Sequence, residues 1–228
     1  MEIDYQIQTT ASDGKFSPRE CVKMAKENGV ESIAITDHDT VGGVPEALEA
    51  GKEFGVEVIP GIELSTSLDG CLIHILGFGI DHKRPELLSR LAGLKDDRDI
   101  RARLMVEKLQ ELGFDIDFAK VRARAGGVIA RPHIAEELLE NPANKEKLAA
   151  EGIATKQDVF DKYIGERGKA FVYRVPLTIP ETIRLIHDSG GVAIWSHPAW
   201  PRPATYDWIE ETLKNFIGLG IDGLDTFM

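Results

Sequence analysis

Two aspartates and a histidine stand together at Asp37, His38 and Asp39, directly after the short apolar run Ile33-Ala34-Ile35. Carboxylates and an imidazole at the end of a buried strand are placed for chemistry, since strand ends in α/β sheets and barrels hold ligands and catalytic groups. Asp37 or Asp39 has a second reading, as the N-cap of a helix expected over residues 44–54. His38 has no such excuse, because a cap needs no imidazole. The same residue types recur along the chain. Gln6, Gln8 and Asp13 follow a first strand, Glu63 closes Gly61-Ile62-Glu63, His74 interrupts CLIHILGF, and His197 follows Val192–Trp195. Converging carboxylates and imidazoles are what a borderline divalent ion requires: zinc, manganese or iron, with magnesium a further candidate. Two such ions sharing a carboxylate would activate a water and clamp a phosphoryl oxygen. A lone histidine in an apolar run, such as His74, is more often a satisfied core residue. Five carboxylates and imidazoles at successive strand ends, Asp13, His38, Glu63, His74 and His197, are hard to obtain that way.

A second cluster lies at Arg131-Pro132-His133. A forked guanidinium beside an imidazole suits a phosphate, whereas the plainer reading is a helix start with proline at its first position. Arg98 and Arg101, one helical turn apart, either join that pocket or form a solvated face, and the solvated face is favoured.

The elements that must position these groups follow a βα rhythm. Residues 1–8 alternate in polarity and end in TTASDG, a strand and turn. Ser17-Pro18 opens a helix that stops at Gly29. Strands are expected at 32–35, 56–60 and 71–78, with a helix at 44–54 between the first two. From residue 81 the rhythm turns helical, with helices expected over 85–112, 117–125, 132–140, 144–150 and 156–164. Helix 180–189, strand 192–195, helix 206–217 and a strand at 223–227 resume the βα pattern. A parallel α/β barrel or sheet with an inserted helical subdomain at about 81–169 accounts for this order.

The chain has 228 residues, enough for one large domain or a domain with an insertion. A net charge of -11 argues against binding long nucleic acid through a basic surface, but not against a small phosphorylated ligand held by a few arginines. No apolar run approaches a membrane span, and MEIDYQIQ lacks a signal-peptide pattern. Cys21 and Cys71 read as small core residues of a reduced, cytoplasmic protein.

With these motifs in hand the sequence resembles the PHP (polymerase and histidinol phosphatase) superfamily, in the branch of small phosphoesterases with a helical insertion. The branch opens D-L-H-x-H-[ST]-x-x-S-D-G where this chain has DYQIQTTASDG. Its T-D-H-D-[ST] stands at 36–40, its G-I-E at 61–63, its strand histidine at His74, its R-P-H-I-A at 131–135 and its G-G-x-A-x-x-x-H-P at 190–198. The resemblance implies a distorted (β/α)7-type barrel, residues 1–80 and 170–228, with the insertion at 81–169 covering its mouth. It implies metal ligation by Asp13, His38, Glu63, His74 and His197, with Glu63 bridging and with Glu63, His38 and His197 the catalytic set. Arg131 and His133 correspond to its phosphate-binding pair. The implied activity is metal-dependent hydrolysis of a phosphate ester of a small nucleotide, such as a nucleoside 3′,5′-bisphosphate, or of a short oligonucleotide end. A metal-activated hydroxide would be the nucleophile. The family's paired histidines, however, are Gln6 and Gln8 here, neutral amides that suit zinc-like ions poorly. The family pattern also continues to a G-x-D-x-H-like segment not found before Met228. Weakened activity is therefore expected, and the rival reading is a catalytically silent phosphate- or nucleotide-binding member of the fold.

Overall fold

A computed structural model describes residues 2–68, 71–173, 177–199 and 205–226. The chain forms two compact units, Met1–Ala92 with Val175–Met228, and Gly93–Arg174.

The first unit is built on one curled sheet, ordered β1-β2-β3-β4-β6-β7 with β5 paired to β3. Its strands are β1 (Glu2–Ile7), β2 (Val30–Ile35), β3 (Glu57–Leu68), β4 (Cys71–Phe78), β5 (Leu177–Thr178), β6 (Val192–Trp195) and β7 (Gly223–Leu224). Strands β1, β2 and β3 run parallel. β4 is antiparallel to both of its neighbours, so the sheet is mixed where the βα rhythm suggested parallel strands throughout. The physical reason is that no helix separates β3 from β4, and a parallel crossover needs one. β3 also runs on to Leu68, well past the end expected at residue 60.

Local signals account for the flanking helices. Ser17 accepts the Glu20 N–H and donates its own backbone N–H to the Glu20 carboxylate at 2.8 Å, a capping box that starts α1 (Pro18–Glu27). Gly55, at φ 69, closes α2 (Val44–Phe54) in the left-handed conformation glycine adopts without a Cβ clash. Thr178 and Glu181 form the same box at α8 (Ile179–Asp188), and Thr205 caps α9 (Tyr206–Gly218). Ile33, Ala34, Ile35, Ile62, Leu64 and Ile75 are fully buried, each large aliphatic contributing about 1.5–3 kcal/mol by removal from water. Trp195 packs edge-on against Trp208 and Phe216, with centroids 5.9 and 4.9 Å away, and this seats α9 on β6.

The boundary between the units falls within α3 (Pro85–Glu111). The second unit continues through α4 (Phe118–Arg124), α5 (Arg131–Glu140), a 3-10 turn, α6 (Lys145–Ala150), and α7 (Lys156–Val159) running into a π-helical turn. Its core gathers Met105, Leu109, Ile134, Leu138, Val159 and Ile164 among others. Buried Asn144 ties the loops together, accepting from the Asp115 N–H and donating to the Asp115 and Leu138 carbonyls. Among the described residues no helix is long and apolar enough to cross a membrane.

Candidate metal centre

Backbone pairing brings the chemical side chains together. In the antiparallel β3–β4 ladder Ser65 faces His74, and Glu63, two residues along β3, shares that face. Glu63 and His74 are thus diagonal neighbours in the middle of long strands rather than at strand ends. His38 follows β2 and forms an isolated parallel bridge with Glu63. The Ser196 N–H donates to the His74 carbonyl, which holds the chain after β6 beside β4 and delivers His197. Among the described residues two non-glycine residues have positive φ, Asp39 at 52° and His197 at 32°. Strained backbone of this kind persists only where surrounding contacts fix it, and it gathers at functional sites.

Glu63, 1% exposed, is the hub. Its Oε1 lies 3.1 Å from His74 Nδ1 and 3.1 Å from His197 Nε2, and those two nitrogens are 2.9 Å apart. Its Oε2 accepts from Gln8 Nε2 at 2.7 Å and is 3.8 Å from His38 Nδ1. Gln8 Nε2 is also 3.1 Å from His38 Nε2. Ligand atoms of His38, Glu63 and His74 all lie within 4.8 Å of one another. Glu63 Oε1, His74 Nδ1 and His197 Nε2 form a triangle 2.9–3.1 Å on a side, close to the edge of roughly 3.3 Å required by a tetrahedral ion bonded at 2.0–2.2 Å. The donor set therefore fits one divalent ion.

The electrostatics agree. Burial by itself would raise the Glu63 carboxyl, but the electrostatic influence of nearby His38 and the hydrogen bonds with His197 and His74 together hold it well below the usual carboxylate range. Burial pushes His74 down to about 4, against the pull of Glu63. At neutral pH an anionic carboxylate thus faces a neutral imidazole, which is the protonation state a metal ligand must have.

The model of the PHP domain matches residues 4–141, from the strand that carries Gln6 and leads into Gln8 to just past the helix of Arg131 and His133. The chain belongs to the PHP family. A 5′-3′ exoribonuclease of Haemophilus influenzae is 36% identical over 98% of this PHP chain and 78% of its own length. A 3′,5′-nucleoside bisphosphate phosphatase of Chromobacterium violaceum is 29% identical over 98% of this chain and 75% of its own. Among solved structures, a protein described as a metal-dependent phosphoesterase from Bifidobacterium adolescentis superposes with a TM-score of 0.84 at 30% identity, covering 98% of this chain and 77% of that one.

In the PHP chain Asp13 Oδ1 is buried without a hydrogen-bond partner among the described residues. Exposed Gln6 donates to Ser196 Oγ at 3.0 Å rather than to Glu63 or a histidine. Neither Asp37 nor Asp39 caps α2, whose N-cap is Gly43 with no side-chain bond. Asp37 instead accepts from Thr9 N (2.7 Å), Thr9 Oγ (2.8 Å) and Ser12 Oγ (2.6 Å). Burial raises its carboxyl, and these bonds resist the rise. Asp39 takes the Ser65 N–H at 2.8 Å, and its own N–H donates to the Glu63 carbonyl. Both aspartates therefore clip neighbouring strands around the hub. In the helical unit His133 Nδ1 accepts the Ala130 N–H at 3.0 Å, a cap for α5 that leaves the ring proton on Nε2. The Arg131 guanidinium stacks over the Phe160 ring at 5.3 Å. Burial, with the charge of Arg98, lowers the Arg131 pKa while Glu166 opposes the shift. Arg101 donates to the Val172 carbonyl and lies over Phe171, so it is engaged with the helical unit's own chain.

Proposed function

We propose that the chain hydrolyses a phosphate ester of a small nucleotide or of a short oligoribonucleotide end, with a divalent ion held by Glu63, His74 and His197. Manganese, zinc and iron suit this mixed carboxylate–imidazole set best. The observation that carries the reading is the buried Glu63 carboxylate with two imidazole nitrogens on one oxygen at 3.1 Å. When bound, the ion supplies Lewis acidity, lowering the pKa of water and polarising a phosphoryl oxygen. The protein's own groups do the rest. Glu63 stays ionised because of its histidine neighbours, and His74 stays neutral because it is buried, which are the charge states in which a carboxylate and an imidazole ligate a metal. Asp39 and the strained turn at His197 hold the donors in register. Arg131 and His133 are the proposed phosphate-binding pair, a guanidinium and an imidazole Nε2–H as donors to phosphoryl oxygens. The relatives named for nucleoside bisphosphate and RNA hydrolysis support this substrate class.

A second reading, a silent nucleotide-binding member, draws on the Gln8 amide seated between Glu63 and His38. One experiment separates the two. The purified chain with Mn(II) is assayed on adenosine 3′,5′-bisphosphate and on a short 5′-phosphorylated oligoribonucleotide, beside Glu63→Gln. Phosphate or nucleotide release that falls about 100-fold or more in the variant supports hydrolysis. Binding of either ligand with no release above the Glu63→Gln background leaves only the silent reading.

A further inference from the structure

Gln8 stands where the family motif has a histidine, and its side chain does something specific. The carboxamide nitrogen is 2.7 Å from Glu63 Oε2 and 3.1 Å from His38 Nε2. The identity of the amide atom follows from chemistry, because a carboxylate oxygen at 2.7 Å demands a donor, and only the NH2 end of the amide donates. An amide nitrogen carries two hydrogens. One serves Glu63, and the second serves His38 Nε2 if that nitrogen is the acceptor.

We propose that the Gln8 carboxamide takes the place of one ion of the centre: its NH2 bridges Glu63 Oε2 and His38 Nε2, and a single ion belongs to Glu63 Oε1, His74 and His197. The inference rests on the metal centre proposed above. An ion bonded to both Glu63 Oε2 and His38 Nε2 would lie about 2.0–2.2 Å from each. The amide nitrogen occupies the same gap, so ion and amide exclude one another. Rotating the amide by half a turn would set its carbonyl oxygen against the ionised Glu63, an arrangement that only an added cation could make favourable. The NH2 group is thus a neutral, partly positive stand-in that satisfies both acceptors.

The placement is built into the scaffold. The residues on either side of Gln8 are pinned, Ile7 by its carbonyl accepting the Thr36 N–H and Thr9 by the Asp37 carboxylate. Gly14 closes against the same backbone: a Cβ there would lie 2.1 Å from the Gln8 carbonyl oxygen, so no other residue lets the loop pass so near. The consequence for His38 is a change of role. With Nε2 accepting from the amide, its proton sits on Nδ1, which is buried without a hydrogen-bond partner. His38 then acts as a hydrogen-bond acceptor rather than a metal ligand.

The test counts ions and needs no substrate. The metal-free chain, Gln8→His and Gln8→Met are dialysed against Mn(II), and manganese per chain is measured by elemental analysis. Melting temperatures are recorded with and without the metal. The expected result is one further manganese per chain in Gln8→His than in the parent. Metal-free Gln8→Met should melt several degrees below the metal-free parent, because Glu63 and His38 lose their shared donor. Equal manganese content in the parent and Gln8→His overturns the amide substitution while leaving the metal centre standing. A metal-free Gln8→Met that melts with the parent also overturns it, and covers the case in which Gln8→His does not fold. If no chain binds manganese, the proposed centre itself fails.

Discussion

Replacing Asp37 by alanine should cost far more than its distance from any substrate-binding role suggests. Its carboxylate, 1% exposed, accepts three hydrogen bonds from Thr9 and Ser12, which are 0% and 2% exposed. Alanine leaves those buried donors without a partner, and each such loss costs about 1–3 kcal/mol. The three losses do not add in full, since the hydroxyls can turn to other acceptors and removing the buried carboxylate recovers part of its desolvation cost. A net loss of about 3–4 kcal/mol is expected, a large share of the 5–15 kcal/mol typical of a domain. Asparagine keeps one acceptor in place and should cost about 1–2 kcal/mol. Equilibrium urea unfolding followed by tryptophan fluorescence is the suitable assay, because Trp195 and Trp208 both belong to the sheet-containing unit. The midpoint should fall with little change in slope. An alanine variant within about 1 kcal/mol of the parent, or one equal to the asparagine variant, would refute the view that Asp37 pins the loop behind Gln8.

Two further predictions concern groups away from the centre. Burial pushes the Cys21 thiol up to about 11, so in a Cys71→Ser background Ellman's reagent at pH 8 should label the native chain slowly and the urea-unfolded chain at once; fast native labelling would contradict the burial. Asp222 accepts the Ala193 N–H and pairs with His187 Nε2, both at 2.7 Å, and these contacts lower its carboxyl. A depressed carboxyl contributes stability above its unfolded pKa of about 3.9 and loses it as pH falls through the folded value. Asp222→Asn should therefore be less stable than the parent at pH 6, with the gap closing towards pH 3. Because the pair is two-fifths exposed the gap should stay below about 1 kcal/mol. A gap that widens on acidification would reverse the sign.

The parts of the centre legible in the sequence are those where an ionisable residue sits at odds with its surroundings. His74 inside CLIHILGF and Glu63 after Gly61-Ile62 declare themselves because an apolar strand gives an imidazole or carboxylate no reason to be there. What their spacing does not disclose is strand direction. The β3–β4 hairpin and the extension of β3 to Leu68 were illegible because the Gly61-Ile62-Glu63 step reads equally well as a strand end or as a strand crossing closely over its neighbour. β5, two residues long, lies below any periodicity that could reveal it.

Asp37 and Asp39 show a deeper limit. A carboxylate that caps a helix and one that clips a loop or strand use the same bond, a backbone N–H donating to an Asp oxygen. Sequence distance decides nothing, since the partners are Thr9 and Ser12 on one side and Ser65 on the other, all more than twenty residues away. Gln8 is the counterpart at the centre. From the sequence it counts as a lost ligand; with its amide nitrogen at 2.7 Å from Glu63 and 3.1 Å from His38 it is a gained donor. The same substitution that removes an imidazole lone pair from the centre supplies two N–H groups to it. The charge of Glu63 Oε2 is then met by the chain itself, and only the Oε1 side still calls for a cation.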